Sequence, residues 1–175
     1  MKPKRKIVLA TIGSLGDLHP FIAIGLALKA RSFEVVLAVP ADHVAKVEAA
    51  GLIGVAIVGG FAALAEALGL PPEQAARLIM GDQTYLMNRI LMPWLADSTT
   101  ALDDAMEGAV ALVASLFVFA APIVAEKRGV PFVNVLLQPM ATFSAYAPPR
   151  TPDCRMMVSA PAAGLVERGT SPCTV

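Results

Sequence analysis

Charge of either sign is scarce in this 175-residue sequence: Asp, Glu, Lys and Arg together make up 16%, and fourteen basic residues balance fourteen acidic ones. A chain without net charge projects no long-range basic field, which excludes the usual electrostatic attraction to nucleic acid or to an acidic membrane surface. Cysteine is nearly absent. Cys154 and Cys173 both fall near the C-terminus with no CxxC and no Cys/His spacing. Neither a disulfide framework nor a metal site is therefore encoded, and a reducing cytoplasm is the expected compartment. Internal repeats are missing too.

Uncharged runs long enough to concern a membrane number two. Lys2 to Lys6 followed by Ile7–Leu15 imitates a secretory leader, but no small-residue cleavage site follows and Asp17 interrupts the run. Gly108–Ala125 holds eighteen residues without a charge, which just reaches the length of about 18 residues at which a membrane span has to be considered. This run is divisible: Val110–Ala114 reads as a buried strand, Ser115 as a turn, and Phe117–Arg128 as a helix that tolerates Pro122 near its first turn. Lys127-Arg128-Gly129-Val130-Pro131 then ends the helix as soluble helices end.

What the chain has in abundance is apolar residues, 56%, above the usual ~45–50%. That excludes intrinsic disorder and provides a core for one domain. Ile7–Ile12 is a continuous β-rich run of the kind buried in parallel sheets. Pro20–Arg31 is predicted as a helix with Pro at its start, an apolar stripe of Phe21, Ile24 and Leu28, and Ile22 and Leu26 widening the buried face. Strand Glu34–Val39, short helix Asp42–Ala50 and strand Ile53–Val58 follow. A helical excursion, Phe61–Leu70, Pro72–Met92 and Trp94–Glu107, separates these from strand Val110–Ala114, helix Phe117–Arg128 and strand Phe132–Gln138. Strands alternating with helices predict an α/β fold, a doubly wound, Rossmann-like parallel sheet of order 3-2-1-4-5 over residues 1–150. From Pro139 to Pro172 six prolines accumulate without a strand or long helix, so residues 151–175 are expected to form an irregular tail.

In such sheets ligands bind at the carboxyl ends of the strands where the strand order reverses. That selects Gly13–Pro20, Ser115–Leu116 and Gln138–Pro139. Gly13-Ser14-Leu15-Gly16-Asp17 meets neither the GxGxxG fingerprint nor the phosphate-loop pattern. It remains a tight turn with backbone N–H groups at a helix N-terminus, able to accept an anion. Asp17 reads in two ways, as a helix cap or as a general base at the mouth of the sheet. His19, two residues on, reads as a cap or half-exposed packing residue beside Pro20, and His43 as surface. Met80, Met87, Met92 and Met106, with Tyr85 and Trp94, read as core filler or as a plastic surface for an apolar ligand.

Gly13-Ser14-Leu15-Gly16-Asp17-Leu18-His19-Pro20-Phe21, then Ile24-Gly25-Leu26-Ala27-Leu28 and Phe33-Glu34-Val35, resemble the start of the glycosyltransferase family 28 N-terminal domain, of the GT-B type found in bacterial and sterol UDP-glycosyltransferases. Phe119-Ala-Ala-Pro122, Ala125-Glu-Lys127, Gly129-Val-Pro131, Leu137-Gln-Pro139, Ser144-Ala-Tyr146 and Pro148-Pro149 resemble a later part of the same domain, in the same order. The resemblance implies an acceptor-binding domain that works with a second, donor-binding domain across a cleft. It implies that Asp17 deprotonates the acceptor hydroxyl for an inverting displacement, with His19 the other candidate base. Gly13, Ser14 and Gly16 would approach the donor's diphosphate. The excursion Phe61–Glu107 would shape the acceptor pocket, with Tyr85, Trp94, Ser115 and Gln138 as acceptor-binding candidates. A UDP-sugar would be co-substrate, with no metal or other cofactor; a hexose would pass to an apolar or lipid-like acceptor, with peripheral contact at the inner membrane face as a further expectation.

The sequence departs from the family pattern at Ser32, where relatives usually have Gly, and at Phe33, where they usually have His. Residues 154–175 do not resemble the rest of the family domain and the donor-binding domain is not among these 175 residues, so a truncated chain is expected. The competing expectation is a non-catalytic acceptor-binding subunit, or a relic, that needs a separate donor-binding chain. A membrane-inserted protein built on Gly108–Ala125 is the third.

Overall fold

Five apolar runs come together as one parallel sheet in the computed structural model, which describes residues 5–81 and 83–138. By its contacts the chain divides after Val135. All five strands lie in the first unit: β1 (Lys6–Ala10), β2 (Glu34–Pro40), β3 (Ile53–Val58), β4 (Ala109–Ser115) and β5 (Phe132–Val135), in the expected order β3-β2-β1-β4-β5. Every pairing is parallel, with Val8 beside Val36 on one side and Leu112 on the other. The expected boundary near residue 150 and the tail 151–175 lie outside the described residues.

The helices described are α1 (Leu15–Ala30), α2 (Val44–Ala49, after a 3-10 turn at Ala41–His43), α3 (Phe61–Ala67), α4 (Pro72–Gly81), α5 (Gln83–Tyr85), α6 (Leu95–Ala105) and α7 (Ala120–Arg128). Successive strand side chains point to opposite faces, and both faces are covered. Val8, Ala10, Val36, Ala38, Leu112 and Ala114 pack with Leu102 of α6, with Met106 directly after that helix, and with Ala121 and Val124 of α7. On the opposite face α1 lies over Leu9 and Val35. There Gly25 makes close approach possible: a Cβ on it would stand 2.7 Å from Leu52 Cδ1 and 3.3 Å from Leu9 Cδ1.

Several boundaries differ from those read in the sequence, that of α7 among them, which begins at Ala120 rather than Phe117. Helix α1 starts at Leu15, five positions before Pro20, because Ser14 caps it; Pro20 lies inside the helix. Its buried residues are Leu18, Phe21 and Gly25, whereas Leu26 is 41% exposed. Over the stretch Pro72–Met92, expected as one α-helix, α4 and α5 are followed by a π-helical segment, Leu86–Leu91. Pro93 crowds the carbonyl four residues before it, and the wider π turn just upstream accommodates that ring. Strand β5 ends at Val135 rather than Gln138, and β4 includes Ser115. The run Gly108–Ala125 is a strand, a turn and a helix, and no helix among the described residues is long and apolar enough to cross a membrane. That removes the reading of this run as a membrane span.

Helix α1 ends in a Schellman motif: Phe33 N–H donates to Leu28 O at 3.2 Å and Ser32 N–H to Lys29 O at 3.0 Å. The motif needs a left-handed residue, and Ser32 occupies it with φ 67°. This is the position where the family pattern has glycine. Ser32→Gly is therefore expected to stabilise the domain by about 1 kcal/mol, the strain a side chain carries in that region; an unchanged or lowered urea midpoint would contradict it.

Helices α6 and α7 are clamped by Asp103, whose carboxylate accepts from Lys127 Nζ at 2.9 Å and from Arg128 Nε at 2.5 Å. The hydrogen bonds from Arg128 and then Lys127 hold the Asp103 carboxyl at about 2, below its ordinary 3.8. A lowered folded-state value means stabilisation that is present above the unfolded value and lost as pH falls through the folded one. The difference in melting temperature between wild type and Asp103→Asn should thus be constant at neutral pH, shrink as pH falls from about 4 to about 2, and vanish below that.

Candidate active site

The carboxyl ends of β1 and β4, neighbours in the sheet, bring together much of what the sequence pointed to. After β1, Thr11 is 1% exposed and its N–H donates to Ala38 O at 3.0 Å. Its Oγ1 donates to Ser115 Oγ, at the end of β4, at 3.2 Å. Ser115 is buried as well. The pair ties the two strand ends together, two residues before the turn Gly13-Ser14.

Gly13 has φ 146°, and a Cβ on it would stand 2.4 Å from Asp17 Oδ2. Only glycine lets the Asp17 carboxylate fold back against the turn. Asp17 Oδ2 accepts from Ser14 N–H at 2.9 Å and from Ser14 Oγ at 3.2 Å, while Ser14 Oγ accepts from Gly16 N–H at 3.2 Å. This is a capping box with Ser14 as the cap and Asp17 three positions on. Asp17 is thus a capping residue, half-buried at the mouth of the sheet, and its carboxylate is oriented by Ser14. The N–H groups of Ser14 and Gly16, expected to be available to an anion, are engaged within the turn because the capping box satisfies them internally.

His19 is exposed on α1. Two positions along a helix turn the side-chain direction by roughly 200°, so Asp17 and His19 leave the helix on different sides; the short sequence spacing does not make them partners.

Beside Ile12, which directly precedes Gly13, an apolar cleft is built from four parts of the chain. Ile12 and Val58 come from the ends of β1 and β3, Phe117 and Phe119 from the link between β4 and α7. Leu91, Trp94, Leu95 and Ser98 come from the excursion. Ser98 Oγ, in this wall, donates to Leu95 O at 3.1 Å. No charged group lines it. Of the acceptor-binding candidates, Trp94 is in this wall and Ser115 lies in the buried pair with Thr11; Tyr85, half-buried on α5, does not line it. Gln138 falls in the second unit, after β5 has ended. Thr11, Ile12, Phe117 and Phe119 were not singled out from the sequence, although the strand-end rule that selected Ser115 reaches each of them. No cluster of three or more His, Cys, Asp or Glu able to hold a metal ion occurs among the described residues.

Residues 7–145 match the glycosyltransferase family 28 N-terminal domain. The chain belongs to that family. As a family 28 N-terminal domain it shares 51% identity over 51 residues with an uncharacterized glycosyltransferase of Mycobacterium leprae, an alignment covering 29% of this chain and 12% of the relative. It shares 51% over 47 residues with the O-mycaminosyltylonolide 6-deoxyallosyltransferase of Streptomyces fradiae, 27% of this chain and 11% of that one. The solved structure of the calicheamicin glycosyltransferase CalG4 has the same fold, with a TM-score of 0.58 at 19% identity over 78% of this chain and 33% of that one. The family 28 domain described here therefore spans a minor part of the length of the proteins it matches. Its five-stranded sheet is that of a GT-B N-terminal domain.

Proposed function

We propose that this domain is the acceptor-binding half of an inverting glycosyltransferase that transfers a hexose from a UDP-sugar to a hydroxyl of an apolar or lipid-like acceptor. The observation that carries the reading is a juxtaposition. The oriented carboxylate of Asp17 lies against Gly13, one residue from a cleft wall that is apolar and uncharged. A hydrocarbon seated on that wall would bring its hydroxyl towards a carboxylate able to take its proton as the oxygen attacks the anomeric carbon. Ser14 holds the carboxylate with two hydrogen bonds, so the base is oriented before the acceptor arrives. The donor's diphosphate would be held by a donor-binding domain facing the turn Gly13-Ser14-Leu15-Gly16, and the sugar would reach Asp17 from that side. No metal or other cofactor is needed for this chemistry, since the leaving diphosphate can be stabilised by donors of the second domain. The same wall supports an acceptor taken from the inner face of a membrane, in a cytoplasmic enzyme.

Joining these residues to a family donor-binding domain and following UDP release with an apolar alcohol tests the proposal. Transfer needs both reactants aligned, an effect that can supply about 7–11 kcal/mol of the barrier reduction. The joined protein should release UDP only with acceptor present, and the 175 residues alone should release none. Acceptor-dependent release by these residues alone, abolished by Asp17→Asn, would show that the second domain is dispensable and overturn the half-enzyme reading. A joined protein that binds the alcohol and UDP-sugar but never turns over would favour the alternative, an acceptor-binding subunit without catalysis.

A further inference from the structure

The apolar cleft beside the turn is closed. Although eight residues from four parts of the chain line it, it holds about 10 Å³ of free space, close to the least that accommodates one water molecule. No acceptor hydrocarbon fits there as the cleft stands. Its walls differ in how firmly they are held. Ile12 and Val58 continue the sheet strands, and Phe117 and Phe119 flank Val118, which is 1% exposed in the core. Trp94 instead sits between a π-helical segment and the first turn of α6, directly after Pro93, and is half-buried. The π turn closes with Met92 N–H on Met87 O at 2.9 Å, and Trp94 N–H reaches Ile90 O only at 3.3 Å. Single π-helical turns of this kind recur at functional sites.

Resting on the acceptor-binding reading above, we propose that Trp94 is the stopper of the acceptor cleft. The indole fills the space that the acceptor's hydrocarbon takes, and the segment Leu86–Trp94 shifts outward to admit it. Trp94 then determines acceptor range through the space it leaves. The occupant is an uncharged apolar alcohol. The wall presents no charge, so an anionic acceptor would be desolvated there without a cationic partner. An opening step also lowers apparent affinity by the fraction of open molecules, so removing the stopper strengthens binding even though it removes a contact.

Trp94 is the one tryptophan in the sequence, so its fluorescence reports on the cleft without a label. Decanol, added below its solubility limit to the 175-residue chain, should shift the emission to the red saturably, and decanoate should not. Equilibrium dialysis of decanol, which needs no tryptophan, should show Trp94→Ala binding roughly tenfold tighter than wild type, as expected for an open state populated at about one in ten. Trp94→Phe should fall between them, and Ile123→Ala, an exposed position on α7 outside the cleft, should match wild type. Equal or weaker binding by Trp94→Ala overturns the proposal, as does decanoate binding as well as decanol. If Trp94→Ala does not fold by circular dichroism, Trp94→Phe decides, and wild-type affinity in that variant overturns it. These readouts use no donor. A cleft that opens in a protein with no transfer activity would separate failure of the proposed function from failure of the stopper, and transfer with a Trp94-independent acceptor range would do the reverse.

Discussion

Asp17→Asn, in the enzyme completed by a donor-binding domain, is expected to lower kcat by roughly 10²–10⁴-fold, the usual contribution of a positioned general base, while the acceptor's KM stays within about twofold, since binding unrelated to the transition state is untouched. The carboxamide keeps the shape of the side chain, and its Oδ1 can still accept the Ser14 N–H now bonded to Asp17 Oδ2 at 2.9 Å. The capping box should therefore survive, with a stability loss below about 1 kcal/mol. His19→Ala should have the smaller effect. An imidazole is a competent base on chemical grounds, but His19 leaves α1 on a different side from the carboxylate that lies over Gly13. Steady-state kinetics of both variants, with folding checked by circular dichroism, decide between them. An inactive His19→Ala beside an active Asp17→Asn would transfer the role to the histidine and leave Asp17 as a cap alone.

Phe21→Ala should cost about 3–5 kcal/mol, the range for removing a fully buried aromatic side chain. Phe21 is 0% exposed and sits one helical turn after Asp17 on the face of α1 that meets the sheet. Against a typical total of about 5–15 kcal/mol, this loss brings the domain close to its unfolding threshold. Leu26→Ala, on the exposed side of the same helix, should shift stability by no more than about 0.5 kcal/mol. Urea unfolding of the two variants gives the comparison, and similar midpoints would mean that α1 is not anchored through Phe21. Because α1 carries Asp17 on its first turn, partial loss of this anchor should also depress activity before the domain unfolds globally.

Little of the sheet was hidden in the sequence. Ile7–Ile12, Glu34–Val39, Ile53–Val58 and Val110–Ala114 read as buried strands because a parallel strand covered on both faces must be apolar throughout, a local and continuous signal. Their alternation with helices was enough for the order 3-2-1-4-5, which the structure has. Helix ends were less legible where two signals competed. Pro20 is a common first residue of a helix, but Ser14 and Asp17, three apart, form a capping box that starts α1 earlier. The α-helix read over Pro72–Met92 gives way to a π-helical segment for a different reason: periodicity reports which face is apolar, not how Pro93 alters the hydrogen-bond ladder just before it.

The sequence by itself determined the fold class, the strand order and the turn at which Asp17 stands, because each is written in neighbouring residues. Only the tertiary structure decided which distant residues share a site. Thr11 and Ser115 are 104 positions apart and meet through a 3.2 Å hydrogen bond, and Ile12, Trp94 and Phe117 share one wall. The same holds for orientation. That the Asp17 carboxylate turns back onto Gly13, and that His19 leaves the helix elsewhere, follow from where α1 begins and from a glycine at φ 146°. Strand and helix signals are local, whereas a site at the edge of a parallel sheet is assembled from the ends of strands separated by whole crossovers.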